Sequence, residues 1–149
     1  ELFGAPDIDT RKLITTMESI APQWMNGCRL RECWFEPTFH KHMGQLCAGI
    51  QIHVEDADYN HQAFRPWRLM ALAFKALRQI SPDYDLWRDF PYEYEHEQLA
   101  IDLINGSELL RLWVDDNNAT PADLEALAVL DERHWQDECS AVLAYPEKA

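Results

Sequence analysis

From Gln45 to Val54 the chain alternates, with Ile50, Ile52 and Val54 on one parity and Gln51, His53 and Glu55 on the other. A period of two sends those sets to opposite faces of a strand, one able to pack and the other able to touch a ligand. Elsewhere the period is helical. Asp9 can cap a helix from about Thr10 to Ala21, with Leu13, Met17 and Ile20 on one side and Pro22 marking its end. Pro66 opens a second helix through Ile80, striped by Leu69, Leu72, Ala73, Ala76 and Leu77 and closed by Ser81-Pro82. Cys28 to Glu36 reads as a further strand, although neither face is cleanly apolar. A helical run near Leu99 to Ile104 is interrupted at Gly106, and Ser107 can cap the next helix to about Asp115. Thr120-Pro121-Ala122-Asp123 has the form of a capping box, so a long helix should follow, its stripe of Leu124, Leu127 and Leu130 weakening toward Glu138. Val142, Leu143 and Tyr145 remain as a candidate terminal strand. With no repeat, low-complexity tract or flexible linker, the expected fold is α+β, a single compact domain with a small sheet and several amphipathic helices.

Composition narrows the class. A chain of 149 residues, 47% apolar, can bury one core without staples. Thirteen Lys plus Arg against 26 Asp plus Glu give a net charge of -13, which repels a phosphate backbone and argues against nucleic acid as a partner. The imbalance is concentrated in residues 76–149, where 17 acidic side chains face five basic ones, whereas residues 1–75 hold nine and eight. The first half is therefore the better half to meet an anionic ligand. No run approaches 18 apolar residues and no signal-peptide pattern is visible, so no membrane span is expected in this chain. A start at Glu1 without methionine fits an excised domain or a processed product. Cys28, Cys33, Cys47 and Cys139 form no CxxC pair and read as free thiols, with three pairings open if the chain is exported.

Candidate chemistry gathers in Pro37 to Asp56, PTFHKHMGQLCAGIQIHVED, where Gly44 and Gly49 bracket the strand start and permit positive φ or close backbone approach. An ammonium at Lys41 can meet a carboxylate, and His42 can donate to sugar oxygens; the alternative is that both brace the loop against acidic neighbours. Gln51 and His53 share a strand face at a spacing suited to reading adjacent polar groups, or are simply half-buried. His40, His42, Cys47 and His53 have no standard zinc spacing and there is no HExxH, so neither a metal nor any other cofactor is expected. Tyr84 to Glu95 concentrates Trp87, Phe90, Tyr92 and Tyr94, which puts this segment over a core edge or a cleft. If it is extended, Glu93 and Glu95 share a face about 7 Å apart, within the range glycosidases use for their carboxylate pair, although paired acids in so acidic a chain are ordinarily solvated. No GxSxG elbow surrounds any serine, and His134 with Cys139 is an ordinary helical pair. Trp34, Trp67, Trp87 and Trp113 read as core or interface anchors, a balance that one exposed Trp beside residues 40–53 would change.

Several separated motifs occur in a telling order: Leu2-Phe3-Gly4-Ala5-Pro6 with Ile8-Asp9, then PTFHKHMGQLCAGIQIHV, then Phe90-Pro91-Tyr92-Glu93-Tyr94-Glu95, then Asp102-Leu103, Gly106 and Arg111. Together they resemble the C-terminal domain of the NamZ family of exo-acting β-N-acetylmuramidases of peptidoglycan recycling. The resemblance implies that residues 1–149 are an accessory domain whose catalytic glutamates lie in an N-terminal Rossmann-like domain absent from this chain, so that no catalytic residue carries over. It implies contacts to a peptidoglycan-derived muramyl saccharide or to that domain from Lys41, His42, Gln51 and His53. Arg111, matching a family arginine, either clamps Asp102 or binds a substrate carboxylate. A periplasmic or secreted parent is likewise implied by the resemblance alone. Where the family places threonine-aspartate after Ile52-His53-Val54, this chain has Glu55-Asp56.

Overall fold

The computed structural model describes residues 1–55 and 57–145; Asp56, half of the Glu55-Asp56 departure, lies outside them. The chain divides into two compact units, Glu1–Asp115 and Asp116–Ala149. The first unit contains the sheet. Its strands are β1 (Leu2–Ala5), β2 (Arg29–Phe35) and β3 (Cys47–His53), antiparallel in the order β1-β3-β2. Helix α1 (Thr10–Ile20) runs between β1 and β2 and is followed by a short 3-10 helix, Pro22–Met25. Helix α2 (Pro66–Ile80) follows β3, and α3 (Ala100–Asn105) and α4 (Leu109–Asp115) complete the unit. The architecture is α+β, with helices laid on one face of a small sheet.

Local chemistry explains the boundaries. The Asp9 carboxylate accepts from the Lys12 amide at 3.0 Å, occupying one of the orphan donors at the start of α1. Pro66 sits at the first turn of α2, where its missing N–H leaves nothing unpaired. Helix α3 ends on Gly106 at φ 81, a left-handed cap that a side chain would strain. Ser107 is not the cap of α4: that helix starts at Leu109, and Ser107 instead accepts from the Asn105 amide nitrogen. Strand β1 is the element that periodicity does not announce, since four residues including a glycine carry almost no alternation.

Alternation along the strands sorts the two faces. Phe3, Leu30, Ile50 and Ile52 meet Met17 of α1 and Leu69 and Ala73 of α2. Leu13, Met17, Leu72 and Ala76 are among the fully or almost fully buried residues, so this face holds the core. Lys75 is buried in it at 2% exposure; its ammonium donates to the Trp113 carbonyl at 2.8 Å and lies 4.9 Å from the Trp113 ring centroid. Those contacts replace lost hydration and cap the carbonyl end of α4.

The opposite sheet face carries Gly4 on β1, Gly49 on β3 and Phe35 on β2, and there the backbones approach closely. A Cβ on Gly49 would stand 2.1 Å from the Phe3 carbonyl oxygen, and one on Gly4 would stand 2.9 Å from the Phe35 ring. The paired glycines, directly opposite in the register, let that ring lie across β3 onto β1.

In the second unit, α5 (Pro121–Ser140) begins with the Thr120 amide and hydroxyl both donating to the Asp123 carboxylate at 2.7 Å. Those hydrogen bonds hold the Asp123 carboxyl below its ordinary pKa. Residues 141–145 turn and bend, and the strand expected at Val142, Leu143 and Tyr145 does not form. Without a neighbouring edge to pair with, three apolar residues at a chain end have no ladder to join.

Candidate functional site

The connection 36–46 leaves β2 and enters β3 at the sheet end where Phe35 faces Cys47. It is held by its own backbone: the Gly44 amide donates to the Pro37 carbonyl at 2.9 Å and the Gln45 amide to the His42 carbonyl at 3.0 Å. His40, His42 and Gly44 adopt φ of 59, 63 and 71, alternate residues in the left-handed region. For the two histidines that conformation costs about 1–2 kcal/mol each. The coil turns Lys41 and His42 toward a cavity of about 270 Å³.

Its walls come from four parts of the first unit. Leu2 to Ala5 and Ile8 supply the chain start, Phe74 and Leu77 of α2 the helical side, Phe35 and Pro37 the sheet side, and Tyr84 with Leu86 the remaining wall. That last wall is pinned. Arg78 donates to the Pro82 and Tyr84 carbonyls at 2.8 and 2.9 Å, while its Nε and the Trp87 indole share the Asp115 carboxylate, each at 2.8 Å. Most of the lining is therefore apolar, with Lys41, His42 and Tyr84 the polar exceptions. Burial, with Asp7, Cys47 and Asp85 nearby, raises the Tyr84 phenol, which stays protonated. Burial also pushes the Cys47 thiol up, so it is no nucleophile at neutral pH.

The remaining candidates lie elsewhere. Gln51 faces Arg31 across β3 and β2, and its side-chain oxygen accepts from that guanidinium at 2.8 Å. His53 faces Arg29, which is ion-paired with Asp58; the His53 Nε2 is buried and has no hydrogen-bond partner among the described residues. Lys41 with His42, and Gln51 with His53, therefore form two separate groups, and only the first lines the cavity. Arg111 clamps Asp102 through Nε at 2.9 and 3.0 Å and Nη2 at 2.8 Å, and reaches Glu108 at 3.4 Å. Its donors thus join α3 to α4.

Glu93 and Glu95 are not on an extended segment. Tyr92 and Glu95 pair across a turn in which Glu93 and Tyr94 have φ of 50 and 68, the signature of a type I′ turn. The Glu95 carboxylate is occupied by the Glu97 and His96 amides at 2.7 and 2.9 Å, which lower its pKa. The parallel display of two carboxylates required a period-two backbone, and the turn removes it.

The end of β2 and the connection that follows expose four large apolar side chains: Trp34 is 64% accessible, Phe39 69%, Met43 63% and Leu46 65%. Trp113 is buried, and Trp67 and Trp87 donate to Asn105 and Asp115. Trp34 is thus the exposed indole next to residues 40–53. Tyr84 and Trp34 had no individual signal in sequence beyond the aromatic density of 84–95 and the position of Trp34 before the polar block. Among the described residues no three His, Cys, Asp or Glu side chains are grouped to hold a metal, and no helix is long and apolar enough to cross a membrane.

Comparison with known proteins gives the geometry a setting. A family model described as exo-beta-N-acetylmuramidase NamZ, C-terminal, matches residues 1–145. The chain is 43% identical over 58 residues to the peptidoglycan beta-N-acetylmuramidase NamZ of Bacillus subtilis (strain 168). That stretch is 39% of this chain and 13% of the relative. No solved structure matches the chain.

Proposed function

This chain belongs to the NamZ C-terminal family, and from that premise we propose that it is the accessory domain of a peptidoglycan glycoside hydrolase that releases N-acetylmuramic acid from non-reducing ends. In this reading it forms one wall of the substrate cleft and presents Lys41 and His42 to the saccharide. The observation that carries it is the cavity: Lys41 and His42, on a strained, self-bonded coil, line a largely apolar chamber. Strain of that kind persists only where the surrounding structure over-determines it, and it clusters at ligand sites.

The carboxylates that assist leaving-group departure and stabilise the oxocarbenium-like sugar belong to another domain of the parent. Glu93 and Glu95 are poor substitutes, being carried on a tight turn with Glu95 already hydrogen-bonded. The length of the relative beyond the matched stretch supports a larger parent. Trp34, Phe39, Met43 and Leu46 supply the apolar area against which an N-terminal, Rossmann-like domain packs, and Gln51, His53 and Arg31 give that contact polar groups. A substrate in the cell wall puts the parent on the outer side of the membrane, periplasmic or secreted. Arg111 remains a brace in this scheme.

Hydrolysis of a chromogenic β-N-acetylmuramic acid glycoside tests the reading, run on this chain and on the protein extended through the upstream domain. Turnover by the extended protein alone is expected. Turnover by neither favours a second reading, a non-catalytic module that binds cell-wall fragments or a protein partner through residues 37–56 and the aromatic segment 84–95. Turnover by this chain alone would overturn the assignment of catalysis to another domain.

A further inference from the structure

The cavity differs from an ordinary apolar gap in its charge. Of its lining side chains one is a full cation, Lys41, and none is acidic. Neither the Lys41 ammonium nor the His42 ring has a hydrogen-bond partner or ion pair among the described residues. Asp7 and Asp85, which are not among the lining residues, are close enough to Tyr84 to raise its phenol. The chamber thus offers an ammonium and a protonated phenol among the apolar side chains of Phe35, Phe74, Leu77 and Leu86. At about 270 Å³ it is at the small end of ligand sites, sized for one sugar unit or part of one.

A lone ammonium is a point charge that meets one anionic group without the two-pronged geometry of a guanidinium. Apolar walls around it require a ligand whose carboxylate is attached to small hydrocarbon groups. The D-lactyl ether that distinguishes N-acetylmuramic acid from N-acetylglucosamine has that composition: one carboxylate, one methyl and one ether oxygen.

We infer that this cavity receives the lactyl ether of a muramyl unit, its carboxylate on Lys41 and its methyl against Phe35 and Leu77, so that the domain itself selects muramyl over glucosaminyl ends. His42 donates to the ether or a neighbouring hydroxyl, and the Tyr84 hydroxyl meets a further sugar oxygen. The inference rests on the muramidase reading for its substrate and adds which atoms of that substrate this domain reads. Selection follows from pairing: a carboxylate that exchanges water for apolar walls needs the cation, and a sugar without one gains no ion pair at Lys41.

Amide chemical shifts of the isotopically labelled chain, titrated with N-acetylmuramic acid and separately with N-acetylglucosamine, test this. Saturable shifts at residues 2–5, 41–42 and 84–86 are expected, with at least tenfold tighter binding of the muramyl sugar. Lys41→Met should abolish that preference while leaving a dispersed, folded spectrum, and Lys41→Arg should restore part of it. Equal binding of the two sugars, shifts confined to another surface, or no shift at the solubility limit of the muramyl sugar would each overturn the inference. The hydrolysis assay keeps the two proposals apart: an active extended protein with a silent cavity removes this inference alone, and an inactive one with a responsive cavity removes the hydrolase reading alone.

Discussion

Gly49 illustrates how much one missing methyl group decides. In sequence it marked a place where the backbone could bend or be approached, and both options were open. The structure selects approach: Gly49 faces Gly4 in the register and a Cβ would meet the Phe3 carbonyl at 2.1 Å. Backbone atoms cannot step aside as a flexible side chain can. Gly49→Ala should therefore push β1 off the sheet, lowering stability by about 1–3 kcal/mol. Urea denaturation measures that loss, and hydrogen exchange should show protection disappearing at residues 2–5 first; an unchanged midpoint would mean that β1 contributes little. Lys41 and Arg111 mark the contrast between cations. Arg111 has its donors committed to Asp102, whereas Lys41 has no partner among the described residues, and no composition count separates the two.

At the level of elements, the helices follow their sequence signals closely. Asp9, Pro66 and Thr120-Pro121 start α1, α2 and α5 at the residues where capping chemistry places them, and α2 ends at Ile80 before Ser81-Pro82. Such starts are local, decided within four residues by orphan amides and a fixed proline φ. The connections follow no such rule. Tyr92 to Glu95 has the alternation of an extended segment but folds into a turn whose central residues, Glu93 and Tyr94, are not those that left-handed backbone favours. Replacing them with Asn and Gly, the residues this turn prefers, should leave the fold intact and raise stability by up to about 1 kcal/mol. Thermal unfolding of the double variant measures this; a drop in midpoint would show that the two side chains hold the segment through contacts stronger than the strain.

Across the whole molecule, charge and hydrophobicity act at different ranges. The net charge of -13 sets the far field, and the chain should not bind double-stranded DNA at physiological salt; a shift in polarisation of a fluorescent duplex at micromolar protein would contradict that. At close range the first unit still builds a cavity whose lining contains a cation and no acid, because Lys41, Phe35, Leu77 and Tyr84 arrive from separate elements. The sequence by itself determined the α+β class, the starts of α1, α2 and α5, the existence of β2 and β3 and, through motifs spread from Leu2 to Arg111, the family. Those properties are local or additive along the chain. Only the tertiary structure decided that Lys41 and His42 share a chamber while Gln51 and His53 do not, that Glu93 and Glu95 lie on a turn, and that Trp34 stands in solvent. Each of these depends on which distant residue fills the space next to a side chain, and that is set by packing across the sheet and its helices, not by spacing along the chain.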